Sequence, residues 1–88
     1  MSVETLLEER GSRYGNYLQQ ALVVEALWHS LAAALANKEL EADQSDALRM
    51  ICVKLSRIVN GDPDYADNWR DIAGYATLVA DRLEGKSR

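Results

Sequence analysis

Asp67, Asp71 and Tyr75 stand at i, i+4 and i+8, and Lys54 and Arg57 stand three apart a short distance upstream. On helices, such spacings place each set on one face. Between the sets lies NGDPD, residues 60–64, which is too short for anything but a tight link, so the two helices must run antiparallel with the cations beside the carboxylates. Two readings remain open. One is an interhelical salt-bridge network, contributing about 0–1 kcal/mol per exposed pair. The other is a polar pocket in which Lys54 and Arg57 hold a phosphate, while Asp67 and Asp71 orient those cations or bind a magnesium ion. Asp64 and Asp67 also have a purely structural alternative as caps of the following helix.

A second set lies near the N-terminus in ERGSRYGN, residues 9–16. Arg10 and Arg13 can fork onto phosphate oxygens, Tyr14 can stack on a base, and Gly11 and Gly15 permit close backbone approach. The alternative is an ordinary helix connection with solvated arginines. The segment contains neither GxxxxGK[ST] nor GxGxxG, so any phosphate contact here depends on arginine rather than on a glycine cradle. Trp28 and Trp69 fall on apolar stripes and read as core or interface. His29, the sole histidine, has only Glu25 at helical spacing, and no Ser-His-Asp or Cys-His arrangement suggests nucleophilic catalysis. The single cysteine, Cys52, excludes an intramolecular disulfide framework.

Composition narrows the partners. With 48% apolar and 27% charged residues the chain is expected to fold rather than stay disordered. Its net charge of -4 argues against nonspecific nucleic-acid binding, which needs clustered lysine and arginine. It lacks the roughly 18 apolar residues in a row of a membrane span, and its first residues lack the pattern of a signal peptide, so a cytoplasmic location is expected. A phosphorylated small molecule, or a protein with a basic surface, is the expected kind of partner.

Four helices have to position these residues. The patterns predict a short helix over 3–10, a loop over 11–15, a long helix over 16–38, a third over 45–60 capped by Ser45 or Asp43, and a fourth over 65–84, all within one domain. Buried stripes are expected from Val24, Trp28, Leu31 and Leu35, from Leu48, Ile51, Leu55 and Ile58, and from Trp69, Ile72, Ala76, Val79 and Leu83. The expected fold is all-α, a small antiparallel bundle of three to four helices. The long helix also carries Leu18, Leu22, Val23, Leu27 and four alanines, more apolar surface than one neighbour covers. Homo-oligomerisation, most simply an isologous dimer, is therefore expected to complete the bundle.

The runs ERGSRYGN and KLSRIVNGDPDYADNWRDIAGYATL resemble a small family of phage and prophage proteins known as a domain of unknown function, with E-R-x-x-x-Y-G, then K-x-x-R-I-x-x-G-D-P, then D-x-W-x-D-I-x-G-Y-A. A looser likeness runs to nucleotide-modification-associated domains and to MazG-like all-α nucleotide pyrophosphatases. The resemblance implies an oligomeric helical bundle handling nucleoside phosphates, with Arg10, Tyr14, Gly15, Lys54, Arg57, Asp67, Trp69, Asp71, Gly74 and Tyr75 at matched positions. MazG-like enzymes hold magnesium with paired glutamates on facing helices. Here the long helix offers only Glu25, and the third has no acid after Asp46. The expectation is thus a nucleotide-binding protein, in nucleotide metabolism or in sequestering a host defence nucleotide, rather than an enzyme. An acidic protein that inhibits a host defence or replication factor is the alternative, and a pyrophosphatase the third.

Overall fold

The computed structural model describes residues 2–86. The described residues form four helices and no strand: α1 (Val3–Tyr14), α2 (Tyr17–Ala34), α3 (Ala42–Asn60) and α4 (Ala66–Leu83). The fold is all-α, as the periodicity predicts, and none of these helices is long and apolar enough to cross a membrane.

Three of the boundaries differ from the expected ones. Residues 11–14 are helical, not loop, and α1 stops only at Gly15. Gly11 weakens a helix by roughly 0.5–1 kcal/mol relative to alanine. Local bonds carry the helix through it: Ser12 Oγ donates to the Glu9 carbonyl at 2.8 Å, and Arg13 pairs with Glu9 at 3.4 Å. α2 ends at Ala34 rather than 38, where its bonds tighten to i→i+3, from Ala36 N to the Ala33 carbonyl and from Lys38 N to that of Leu35. α3 begins at Ala42, because Glu41 and Gln44 form a reciprocal capping box. Neither Ser45 nor Asp43 is needed as a cap. Nor does Asp64 cap α4, whose N-cap position is held by Tyr65 without a side-chain bond.

α3 is the centre of the bundle, touching all three other helices, and α4 packs only on α3. Its interior positions are Ala47, Cys52, Lys54, Ser56 and Ile58. Val24, Trp28, Leu31 and Leu35 of α2 are all half-buried, as their spacing requires, and the Arg49 guanidinium lies 4.3 Å from the Trp28 ring centre. The α4 stripe keeps Ile72 and Val79 of the expected row, but Trp69, Ala76 and Leu83 are exposed and Asn68 and Tyr75 take inward places. Asn68, Ile72, Tyr75 and Val79 face inward, while Trp69 is 54% exposed and its indole donates to the Pro63 carbonyl at 2.8 Å. Trp69 therefore closes the α3–α4 turn rather than filling the core.

The two outer ends of α3 and α4 are joined by charge. Arg82 grips Asp43 through Nε and through Nη2 at 2.8 Å, and reaches Glu41 at 3.6 Å. Hydrogen bonds from Arg82 hold the Asp43 carboxyl below its usual range, with the guanidinium charge adding to the effect. A carboxylate whose folded pKa is depressed contributes stability above its unfolded pKa and loses it as pH falls through the folded value. Urea titrations of the wild type and of Arg82→Gln should therefore differ at neutral pH and converge as pH drops below the ordinary aspartate range. A gap that persists unchanged in acid would assign the Arg82 contribution to its stem rather than its charge.

A polar end of the bundle as the candidate functional site

The turn between α1 and α2 lies directly against the turn between α3 and α4. Gly15 has φ +82°, and a Cβ there would lie 2.0 Å from the Asn60 carbonyl oxygen. A Cβ on Gly61 would lie 2.2 Å from the Arg13 carbonyl oxygen, and Asp62 N donates to that same carbonyl at 2.8 Å. Two backbones thus touch where two side chains are missing. This contact brings the C-terminal turn of α1, the first turn of α2, the last turns of α3 and the start of α4 to one end of the molecule.

Each of the three longer helices places a polar residue on its buried stripe at this end. Gln20 continues the α2 stripe of Val24 and Trp28 one turn earlier and is 8% exposed. Lys54 sits between Ile51 and Ile58 on α3, and Asn68 precedes Ile72 on α4 at 1% exposure. Residue type alone had not marked Gln20 or Asn68. Extending each apolar stripe to the helix end would have done so, since a polar residue at a core position is costly unless it is used.

Tyr14 is the hub. Its ring has the Arg57 guanidinium 4.4 Å and the Arg10 guanidinium 5.3 Å from its centre, and meets the Tyr65 ring edge-on at 6.2 Å between centroids. Arg13 points the other way, onto Tyr65. Its Nη1 donates to the phenol oxygen at 2.7 Å, and that hydroxyl in turn donates to Asp67 Oδ2 at 2.9 Å. The bond to Asp67 stabilises the protonated phenol and raises the Tyr65 pKa, burial adds to this, and the Arg13 charge opposes it. Tyr65 was absent from the sequence-based candidates. It matters because it converts Arg13 and Asp67 into a closed relay.

The expected hollow between α3 and α4 is not where the sequence placed it. Lys54 Nζ is clasped to Asp71 Oδ2 at 2.8 Å, and Asp67 is held by Tyr65 and faces Arg70 at 4.0 Å. Tyr75 takes no part in the Lys54–Asp71 contact. It lines grooves farther along α4, one with Asp43, Asp46 and Arg82 and another with Arg70 and Asp71. Among the described residues no three acidic, histidine or cysteine side chains gather into a cluster that could hold a metal ion.

An opening does exist on the neighbouring side. A groove of about 320 Å³ runs between α1 and α2, bordered by Leu7, Arg10, Tyr14, Gly15, Tyr17 and Gln20 together with Gly11 and Asn16. Its floor is apolar and aromatic. Its polar groups include the Arg10 guanidinium, the Gln20 amide, the Asn16 side chain, which accepts from Gln19 N, and the N-terminus of α2, which carries no acidic residue in its first turn. Neither Arg10 nor Arg57 has a carboxylate within 4.0 Å among the described residues, and Arg57 Nε is buried without an acceptor. Of the residues singled out from sequence, the structure therefore gathers Arg10, Tyr14 and Gly15 at this groove, while Arg57 stacks on Tyr14 without bordering it. It assigns Arg13, Lys54, Asp67 and Asp71 to internal pairs.

No curated protein and no solved structure matches the chain. One family does: its sequence model covers residues 2–83, a span that includes every residue of the polar end, and the chain belongs to that family, the domain of unknown function DUF6378.

Proposed function

We propose that the protein binds a phosphorylated small molecule of nucleotide type in the groove between α1 and α2. One observation carries this reading. In a chain with a net charge of -4, the guanidinium groups of Arg10 and Arg57 flank Tyr14, and neither has a carboxylate within 4.0 Å among the described residues. Of the two, Arg10 borders the groove, and a guanidinium without a carboxylate partner can fork onto an anion supplied from outside. Phosphate would lie between Arg10 and the first turn of α2, with a base or sugar against Tyr14 or Tyr17 and the Gln20 amide fixing its orientation. The groove is at the lower limit of about 300 Å³ for small-molecule sites, which favours a mononucleotide over anything larger. In the phage setting that the motifs resemble, such binding would serve nucleotide metabolism or withdraw a host signalling nucleotide.

Thermal shift with a panel of nucleoside mono-, di- and triphosphates, inorganic phosphate and pyrophosphate tests it. A ligand at 100 times its Kd stabilises by about 2.7 kcal/mol, which in a domain of this size is about 10 °C or more. Arg10→Gln and Gln20→Leu should each abolish the response, and Asp71→Asn should retain it. Absence of any shift, with and without magnesium and far above micromolar concentrations, would remove the reading.

A second reading rests on the α3–α4 turn, where Asp62, Asp64, Asp67 and Asp71 are all exposed on one short stretch. Such a surface suits a protein partner with a basic groove. It predicts binding that weakens steeply with salt and is lost in Asp62→Asn, Asp64→Asn double variants, with no response to nucleotides.

A further inference from the structure

α2 is apolar on nearly all sides, yet the single chain fully buries only Gln20 of its eighteen residues. The inward stripe of Val24, Trp28, Leu31 and Leu35 is half-covered by the rest of the molecule. The opposite face is not. Leu18 is 64% exposed and Leu22 54%, and Ala26 and Ala33 continue the same row at helical spacing. α1 repeats the pattern: none of its residues is buried, and Val3, Leu6 and Leu7 stand 71%, 43% and 61% exposed. A helix of twelve residues is marginal alone in water, and only the C-terminal end of α1 is tied into the polar cluster.

We infer that a second copy of this chain covers the outer face of α2, together with the apolar stripe of α1. The area on offer is what a stable dimer needs. A compact monomer of this mass exposes about 5,200 Å² by the usual scaling, whereas this chain exposes 6347 Å². Its radius of gyration is 14.9 Å, where a compact chain of this length has about 12 Å. Each copy therefore shows on the order of 1,000 Å² more surface than its size warrants, and a pair would remove about 2,000 Å², at the border between standard and obligate homodimer interfaces.

The face also complements itself. Glu25 and His29 lie one turn apart within the Leu18, Leu22, Ala26, Ala33 row, and both are exposed. In an antiparallel pairing of two α2 helices about a two-fold axis, a residue on one side of the axis faces its counterpart on the other side. A carboxylate and an imidazole straddling that axis would each meet the opposite group of the second copy. Tyr17 precedes Leu18 at the start of α2, and the other large exposed apolar residues, Leu55 and Val59 on α3 and Trp69, Leu78 and Leu83 on α4, lack such a continuous row.

This inference does not depend on the ligand proposed above. Light scattering coupled to size exclusion on the full chain should give twice the 9.8 kDa chain mass. Leu22→Glu and Leu6→Glu should each shift the species to one chain at the same concentration, and Leu78→Glu on α4 should leave the dimer intact. These positions are solvent-exposed in the single chain, so the charged variants remain helical by circular dichroism if the inference is correct. Hydrogen exchange on the unmodified protein gives an independent readout, because amides of α1 and α2 should lose protection on dilution while those of α3 keep theirs. A monomer at all concentrations overturns the inference and leaves the face to a different protein. So does a dimer that resists both Leu22→Glu and Leu6→Glu.

Discussion

Gly15→Ala should be among the most damaging single-methyl additions the chain can receive, lowering stability by about 3–5 kcal/mol. Two effects combine. The backbone at Gly15, with φ 82° and ψ -166°, lies in a region essentially confined to glycine, and the new Cβ would be 2.0 Å from the Asn60 carbonyl oxygen, an atom of another helix's backbone with nowhere to move. Gly61→Ala should cost a similar amount through the clash alone, since its Cβ would meet the Arg13 carbonyl oxygen at 2.2 Å. For a domain with about 5–15 kcal/mol in total, either loss is large and should lower Tm by about 15 °C or more. Gly11→Ala supplies the contrast. Gly11 lies inside α1 with nothing within 4 Å of an added Cβ, so alanine there should stabilise by about 0.5–1 kcal/mol. Because Gly15 and Gly61 form one junction, their double variant should fall short of the summed losses, while Gly11→Ala combined with Gly61→Ala should come close to additive. A Gly15→Ala protein that melts at the wild-type temperature would mean that the two turns do not touch.

That junction also marks the limit of what could be read from residue order. Four helices, the inward row of α2 and the antiparallel α3–α4 pair follow from periodicity and link length, because both are local properties. Gly11 and Gly15 look equivalent in ERGSRYGN, and only the tertiary contact with Asn60 makes one a helical residue and the other a stop. Of Lys54, Arg57, Asp67 and Asp71, only Lys54 and Asp71 meet, and spacing cannot distinguish a pair in contact from a pair across a cavity. A difference of a few ångströms in side-chain reach decides it. Tyr65 escaped notice because its partners, Arg13 and Asp67, are 52 and two residues away, and no helical period links them. Gln20 and Asn68 carried a readable signal, a polar residue on an apolar row, that is visible once the rows are continued to the helix ends.

The Lys54–Asp71 pair should respond unequally to loss of its two members, and the asymmetry separates a structural contact from a ligand contact. Lys54 is 8% exposed, whereas the Asp71 side chain is 48% exposed. Asp71→Asn strands an ammonium group inside the bundle. Removing one partner of a fully buried pair costs about 3–5 kcal/mol. Here the solvent already around Asp71 and the length of the lysine stem reduce the figure to about 2 kcal/mol. Lys54→Met removes the buried charge, keeps most of the stem volume between Ile51 and Ile58, and returns Asp71 to water; its cost should be within about 1 kcal/mol, and a small gain would not surprise. Urea unfolding of the two variants and of the double variant gives the coupling directly, and the double variant should resemble Lys54→Met rather than the sum. The functional consequence follows from the same geometry. If the anion site is the α1–α2 groove, Lys54→Met keeps the nucleotide-dependent thermal shift that Arg10→Gln loses. If Lys54→Met instead folds normally and loses the shift, the ligand must open the Lys54–Asp71 clasp on binding, and the site moves back to the face between α3 and α4.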